Sequence, residues 1–84
     1  MAKSNLFEIL VVESSAISEV AYYNKEKRLF ITYINGNEYE YSNVPPHVMS
    51  GLREASSKGK FINKFILGKF FFKRCYTQVN NVTN

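Results

Sequence analysis

One hairpin, written RLFITYINGNEYEY over residues 28–41, constrains the fold of this chain more than any other segment. In its first arm, Leu29, Ile31 and Tyr33 occupy alternate positions, as in a strand whose two faces meet different surroundings. The Asn35-Gly36 pair that follows is a strong hairpin signal. The segment therefore predicts two antiparallel strands joined by a tight turn.

The length of that turn decides which side chains meet. A two-residue loop would place the two glutamates of EYEY among the core side chains of the first arm, which is energetically costly. A three-residue loop shifts the register by one residue, turns both glutamates outward and brings Tyr39 and Tyr41 onto the core face. We predict the three-residue loop, with Gly36 or Asn37 in the left-handed conformation.

The segments on either side extend this hairpin into a meander and a first helix. From Ile17 the pattern is that of a strand, with Val20 and Tyr22 on one face. Pro46 cannot donate to a strand ladder but suits the first turn of a helix. We predict a helix over about residues 46–55, with an apolar stripe made of Val48, Met49, Leu52 and Ala55.

A second helix is expected after the SSKGK segment at residues 56–60. Ser56 or Ser57 can cap it, and Gly68 is expected to end it. Its face toward the sheet is predicted to carry Phe61, Ile62, Phe65 and Ile66. The FFFKR segment at 70–74 is expected to be extended, with alternate rings packed back on the body.

These elements predict an α+β fold, a three-stranded antiparallel β-meander packed on one face by two short C-terminal helices. Residues 1–13 are expected to be an N-terminal extension or edge strand, residues 14–76 the domain and residues 77–84 a flexible tail. With 84 residues the chain has the length of one domain, so its core must be small, and the six tyrosines and seven phenylalanines serve that need.

Hydropathy and cysteine content indicate the compartment. The longest apolar runs, ILVV and FFF, fall far below the roughly 18 residues that span a bilayer, and the N-terminus has no secretory-signal pattern. The single cysteine allows no internal disulfide. We predict a soluble, cytoplasmic protein without membrane attachment.

The charge is distributed unevenly along the chain. Residues 1–55 carry five basic and seven acidic residues, whereas residues 56–84 carry six basic residues and no acidic one. Such asymmetry often marks a surface for polyanions or acidic proteins. The alternative is a solvated helix face whose lysines keep an aromatic segment soluble.

The sequence contains few of the residue types that a catalytic or metal site needs. A nucleophile needs a neighbouring base, and the chain offers one histidine, His47, one cysteine, Cys75, and no aspartate. His47 is expected to be a surface or capping residue and Cys75 a passive thiol. One histidine and one cysteine cannot supply a tetrahedral zinc site. We predict no enzymatic activity, no cofactor and no metal.

The SSKGK segment resembles a phosphate loop superficially. In a P-loop the lysine follows the second glycine and is itself followed by Ser or Thr, but here Phe61 follows Lys60. A weaker hypothesis is an anion site at the start of the second helix, formed by Ser57 and Gly59 with neighbouring lysines. The alternative is an ordinary helix cap.

The strongest functional signal is the basic and aromatic stretch SSKGKFINKFILGKFFFKR. Single-stranded nucleic acid is bound by rings that stack on bases and by cations that follow phosphates. The predicted nucleic-acid-binding residues are Lys58, Lys60, Lys64, Lys69, Lys73 and Arg74. The rings of this stretch, and Tyr39 and Tyr41, are expected to be core, although a role in binding stays open.

The order and spacing of these features resemble the KTSC domain, a module of some lysyl-tRNA synthetases and of free-standing bacterial and phage proteins. The resemblance rests on Ser14, Ser15, Ile17, Val20, Tyr22, Leu29, Ile31, Tyr33, Gly36, Tyr39, Tyr41, Val44, Pro45, Ala55, Ser56, Gly59, Phe61, Asn63 and Ile66. The chain departs from the usual pattern at Tyr23, Met49 and Leu67; at the last, a basic residue is common in the family.

That resemblance implies no established activity, but attachment to a synthetase suggests RNA binding. The leading hypothesis is therefore a non-enzymatic module that binds RNA or single-stranded DNA through a basic C-terminal face. The alternative is a protein-interaction module, such as a small phage effector that docks on a host protein. Attachment to anionic lipid is a weaker reading, because the apolar side of the second helix is needed inside.

Overall fold

The computed structural model describes residues 7–75 and contains five strands and two helices. In chain order these are β1 (Phe7–Val11), β2 (Ile17–Tyr23), β3 (Arg28–Tyr33), β4 (Glu38–Tyr41), α1 (Pro46–Glu54), α2 (Lys58–Phe65) and β5 (Phe72–Cys75). The strands form one antiparallel sheet in the order β1-β2-β3-β4-β5. The α+β class with two helices is confirmed, but the prediction of three strands is wrong.

The two additional strands lie at the edges of the sheet. β1 pairs with β2 from Phe7 opposite Tyr23 to Val11 opposite Glu19, so the predicted edge strand is a full member of the sheet. Its run of consecutive apolar residues hides the alternation that marks a strand. β5 pairs with β4, so the extension expected for residues 70–74 becomes strand pairing. The predicted tail at 77–84 lies outside the described residues.

The predicted hairpin register is confirmed. Ile31 lies opposite Tyr39, and Leu29 lies opposite Tyr41. The amide of Tyr33 donates to the carbonyl of Asn37 over 2.8 Å, which closes a three-residue loop. Gly36 takes the left-handed conformation, with φ of 95°, that glycine adopts at low cost.

Strand alternation divides the sheet into two faces. The helix-side face carries Val20, Tyr22, Leu29, Ile31 and Tyr41, which pack with both helices in one hydrophobic core. The open face carries the intervening residues and is covered by neither helix. Val12, Ile17, Val44, Met49, Leu52, Ile62 and Ile66 complete the buried core.

α1 follows its predicted start. Pro45 is the N-cap residue, Pro46 opens the helix, and Met49 and Leu52 are buried. The hydroxyl of Tyr22 donates to the carbonyl of Val44 over 2.7 Å and so ties the sheet to the segment before α1. The helix ends at Glu54, one residue before the predicted end.

α2 confirms the predicted cap but corrects the predicted apolar face. The Ser57 hydroxyl accepts from the amide of Lys60, and Ile62 and Ile66 are buried, as expected. Phe65, expected to face the sheet, is instead 47% exposed, and Phe61 is half-buried. The two isoleucines, four residues apart, take the positions nearest the sheet, so Phe65 falls on the flank of the helix against Phe61, with ring centroids 4.7 Å apart.

Candidate nucleic-acid interface

An aromatic cleft opens on the helix-side face, at a place where no lining residue belongs to a helix. It has a volume of about 410 Å³ and is lined by Tyr33, Asn35, Asn37, Tyr39, Tyr41 and Phe72. β3, β4 and β5 each contribute at least one ring to the walls, and the hairpin loop and its end contribute the two asparagines. We call this group the aromatic cleft.

The four rings of the cleft contact one another as a continuous wall. Tyr39 lies edge-on to Tyr33, with centroids 5.7 Å apart, and Phe72 stacks on Tyr41 at 5.5 Å. A tilted contact of 6.0 Å between Tyr39 and Phe72 joins the two pairs. Tyr41 is buried at the base, with 4% exposure, whereas Tyr33 and Tyr39 are half-buried. The two tyrosines of EYEY therefore differ, because one is core and the other is a cleft wall.

Polar groups hold the rim of the cleft in place. The Arg74 guanidinium donates to Oδ1 of Asn37 over 2.7 Å, and Arg74 lies directly opposite Tyr39 in the sheet. The amide of Asn37 donates to Oδ1 of Asn35 over 3.0 Å. No acidic residue lines the cleft within the described part of the chain. The rim is therefore electropositive and carries amide groups able to donate hydrogen bonds.

The hydroxyls of Tyr33 and Tyr41 stay protonated near neutral pH. Burial raises the pKa of Tyr41 to about 12, with smaller contributions from the charges of Tyr33 and Tyr39. Burial also raises the pKa of Tyr33. A ligand in the cleft therefore meets neutral phenols that offer both a donor and an acceptor.

Three predicted cations project from the helix side of the fold into solvent. Lys60 and Lys64 lie on α2, and Lys69 lies in the turn after it. None of the three forms an ion pair within residues 7–75. The Lys64 ammonium lies 5.5 Å from the centroid of the Phe65 ring, a cation–π contact at the surface.

The other two predicted lysines lie elsewhere, so the six cations do not form one surface. Lys58 donates to the carbonyls of Arg53 and Ala55 over 3.2 and 3.0 Å and thereby satisfies the end of α1. Lys73 lies on the open face, 4.0 Å from Glu40, whereas its neighbour Arg74 lies on the helix-side face. Successive residues of a strand point to opposite faces, so Lys73 and Arg74 separate although they are neighbours in the sequence.

At the start of α2, Ser57 caps the helix, which gives one of the two residues expected to bind an anion a structural role. Ser57 accepts from the amide of Lys60 over 3.4 Å. Gly59 packs near Ser14, whose hydroxyl would lie 3.5 Å from a Cβ placed on this glycine. With Lys58 occupied at the end of α1, the segment joins the two helices and the β1–β2 connection.

The one histidine and the one cysteine of the sequence lie on different elements of the fold. His47 is exposed near the start of α1, and Cys75 ends β5 opposite Glu38. Burial raises the pKa of the Cys75 thiol, and the Glu38 and Glu40 carboxylates add to the effect, so the thiolate is disfavoured. Within residues 7–75, no three His, Cys, Asp or Glu residues come together as a metal site.

The open face presents an apolar edge of its own. Phe7, Ile9 and Val11 of β1 are 52%, 50% and 77% exposed. Phe7 stacks on Tyr23 with centroids 5.0 Å apart, and Tyr23 meets the edge of Phe30 at 5.6 Å. No other strand of the described sheet carries three exposed large hydrophobic side chains.

Sequence reasoning identified the tyrosines of the cleft but not the cleft itself. β5 brings Phe72 into the cleft and Arg74 to Asn37 at its rim, and the predicted meander had no strand there to do so. The available signal was the alternation of Phe70, Phe72 and Arg74, which places the last two on one face of any strand at that position.

Comparison with known proteins agrees with this architecture. Residues 13–70 match the KTSC domain family. A crystal structure of a KTSC domain protein from Yersinia pestis superposes with a TM-score of 0.75 at 29% identity, covering 84% of this chain and 100% of that chain. No helix within the described residues is long and apolar enough to span a bilayer.

Two kinds of sequence relative differ greatly in length. A lysine–tRNA ligase of Nostoc punctiforme is 44% identical over 68 residues, which is 81% of this chain but 12% of the ligase. A protein of Tsukamurella paurometabola is 39% identical over 59 residues, covering 70% of this chain and 88% of that protein. The chain thus spans about an eighth of the length of the ligases it matches.

Proposed function

The chain belongs to the KTSC domain family, and from that premise we propose that it binds RNA, or another single-stranded nucleic acid, through the cations on its helix side. The contacting residues are Lys60, Lys64, Lys69 and Arg74. Lys58 and Lys73 are left out, because the first caps α1 and the second faces Glu40 on the other side of the sheet.

The observation that carries the proposal is the charge of the C-terminal third. Residues 56–84 contain six basic residues and no acidic one, and Lys60, Lys64 and Lys69 make no ion pair within the described chain. Three exposed ammonium groups that form no ion pair within the described residues attract a polyanion, and their binding to phosphates releases condensed counterions.

The relatives and the rings add support. Three of the similar proteins are lysine–tRNA ligases, enzymes whose names give tRNA as their substrate, and they contain this module as a small part of their length. Beside Arg74, the half-buried Tyr39 offers a ring at the surface. Cations together with accessible rings are the combination by which single strands are bound without strict sequence preference.

The test is binding of a labelled single-stranded RNA at salt concentrations from about 50 to 200 mM, the range in which phosphate contacts weaken strongly. The K60Q/K64Q variant is expected to weaken binding at low salt. It is also expected to lower the slope of log affinity against log salt by about 1.4, because each phosphate contact on a single strand contributes about 0.7.

The matched control is K25Q/K27Q, which removes the same charge from the β2–β3 turn. Because the slope reports direct phosphate contacts and the β2–β3 turn is not part of the proposed surface, this control is expected to change the slope much less than the α2 variant does. Equal slopes for the two variants would show that net charge alone draws the RNA. Absence of binding at 50 mM salt would remove the proposed function.

The second candidate function, a protein-interaction module, is favoured by the apolar edge of the open face. Phe7, Ile9 and Val11 are exposed on an edge strand that carries no lysine or proline, the residues that usually protect such edges. The partner proposed is an extended apolar segment of another protein, which pairs with β1 as an additional strand.

Site-specific photocrosslinking separates this candidate from the first. A photoreactive residue at Ile9 is expected to yield nuclease-resistant protein adducts, and the same residue at Lys25 is not. The substitution Val11→Lys should suppress the Ile9 adducts, because it puts a charge into the row that the partner covers. Adducts that form equally at both positions would reject the candidate.

A further inference from the structure

The aromatic cleft combines a concave shape, ring walls and a positive rim, and α2 supplies none of it. Its volume of about 410 Å³ falls within the roughly 300 to 1,000 Å³ usual for ligand sites. Resting on the proposed function, we propose that the cleft holds one unpaired nucleobase of the bound strand, with its phosphate at Arg74. The module would then select unpaired over paired nucleic acid.

The walls suit a flat, uncharged ring. Tyr39 and Phe72 meet at a tilt across 6.0 Å, so neither ring stacks fully on the other, and both keep surface exposed to solvent. Tyr41 closes the base beneath Phe72. A base that slides against Tyr39 or Phe72 exchanges a water-exposed ring face for a stacked one, which is the basis of base binding in proteins that recognise single strands.

The rim suits the sugar-phosphate backbone and the base edge. The Nη2 atom of Arg74 already holds the Asn37 side-chain oxygen 2.7 Å away, which orients the amide nitrogen of Asn37 away from the guanidinium. Asn35 accepts from the Asn37 backbone, so its amide nitrogen too remains a donor. An arginine and two amides at the mouth can bind a phosphate and the acceptor atoms of a base.

Charge argues against the other occupants of an aromatic box. A methylated ammonium is bound by rings in an electronegative setting, but this cleft has no acidic lining residue and an arginine at its edge. Glu38 and Glu40 lie on the opposite face of the sheet and do not line the cleft. A planar, uncharged ring attached to a negatively charged phosphate is the ligand the cleft fits.

The test compares Tyr39→Leu with Tyr23→Leu, each of which removes one half-buried tyrosine ring, the first from the cleft and the second from the open face. Tyr39→Leu is expected to weaken binding of a single-stranded oligonucleotide about 5- to 150-fold, the worth of one stacked base, with Tyr39→Phe restoring it. The slope against salt should not change. Tyr23→Leu should have little effect on affinity.

Two further measurements keep the outcome clear. An abasic site at the bound position should remove the difference between Tyr39→Leu and the unchanged protein, and a blunt duplex of equal length should bind both alike. In the unchanged protein, NMR should show contacts from base protons to the Tyr39 or Phe72 ring. This measurement does not depend on the folding of any variant.

The possible failures are distinguishable. Salt-dependent binding that Tyr39→Leu leaves unaltered, without base-to-ring contacts, overturns the cleft proposal and leaves the lysine-mediated function standing. Absence of RNA binding in the unchanged protein removes both. NMR shifts of the cleft rings caused by an aromatic peptide, with none caused by RNA, would assign the cleft to a protein partner and overturn the proposal.

Discussion

The two faces of the sheet are made from alternate residues of the same strands, yet they are stabilised differently. On the helix-side face, Leu29 and Ile31 are fully buried beneath the helices. On the open face, Phe30 stands between them in the chain but rests only on neighbouring side chains such as Tyr23. The difference teaches that the helices packed on a face, and not the strand structure itself, decide how much a side chain on that face contributes to stability.

The open face also contains a buried charge. Glu40 is 6% exposed although no helix covers it. It is enclosed by the Arg28 side chain, to which it is ion-paired, with Lys73 at 4.0 Å on the other side. The helix-side face thus excludes water with apolar side chains. On the open face, the stems of cationic side chains exclude water around Glu40.

The sharpest way to break the comparison is to truncate neighbouring residues on the two faces. Ile31→Ala should lower the free energy of unfolding by about 2 to 5 kcal/mol, because it leaves a cavity in a closed core. Phe30→Ala removes a larger side chain but should cost about 1 kcal/mol, because water fills the space. Urea unfolding of both variants gives the two losses of unfolding free energy. Equal losses would mean that the open face is shielded from water in solution.

The hairpin geometry was predictable from sequence, but the way in which the helices pack on the sheet was not. Alternation in β3 and β4 allows two registers, and one of them would place both glutamates of EYEY among the core side chains beneath the helices, so the choice follows from the residues. The exposure of Phe65 depends on where α2 ends and on how its isoleucines meet the sheet. Those depend on packing between distant segments, which a pattern of period 3.6 does not specify.

The candidate site shows the same limit. Tyr39 and Tyr41 were placed correctly on one face, but the Phe72 ring that contacts both is brought there by β5, which was not predicted as a strand of the sheet. β5 is four residues long and forms only by pairing with β4. A strand of this kind has little local signal, because its partner supplies the order.

The helix-side face should also respond to alkaline pH through Tyr41. Its pKa is about 12 in the folded chain and near 10 when unfolded, so above pH 10 the unfolded state loses the proton first. Stability should therefore fall as pH rises from 10 toward 12, by up to about 2 kcal/mol from this residue.

Tyr41→Phe removes that titration without emptying the site. Its unfolding free energy, measured in urea from pH 9 to 11, should decline less steeply than that of the unchanged protein. The difference at pH 11 should approach 1 kcal/mol, since one proton changes stability by about 1.4 kcal/mol per pH unit. Parallel curves for the two proteins would show that Tyr41 is accessible to water.

The open face is examined by removing the two cations of Glu40 separately. Arg28→Met keeps an apolar stem but leaves a buried carboxylate with only the more distant Lys73, and should cost about 1 to 2 kcal/mol. That range is below the value for fully buried pairs, because half of the Arg28 side chain is exposed. Lys73→Met should cost about 0.5 kcal/mol or less. A larger loss for Lys73→Met would mean that Lys73 is the principal partner.

The smallest expected effect concerns the rim where the helix-side face meets α1. Arg53 donates two hydrogen bonds of 2.7 Å to the Glu8 carboxylate, and these lower the pKa of Glu8. Because a lowered pKa stabilises the fold only while the carboxylate is ionised, the benefit is present above pH 4.5 and lost as pH falls through the lower folded value. Because Arg53 is exposed and Glu8 is only half-buried, the melting temperature of Glu8→Gln should lie slightly below that of the unchanged protein at pH 7. The two values should converge near pH 3, and a gap that persists there would assign the contribution of Glu8 to packing beside α1 instead of charge.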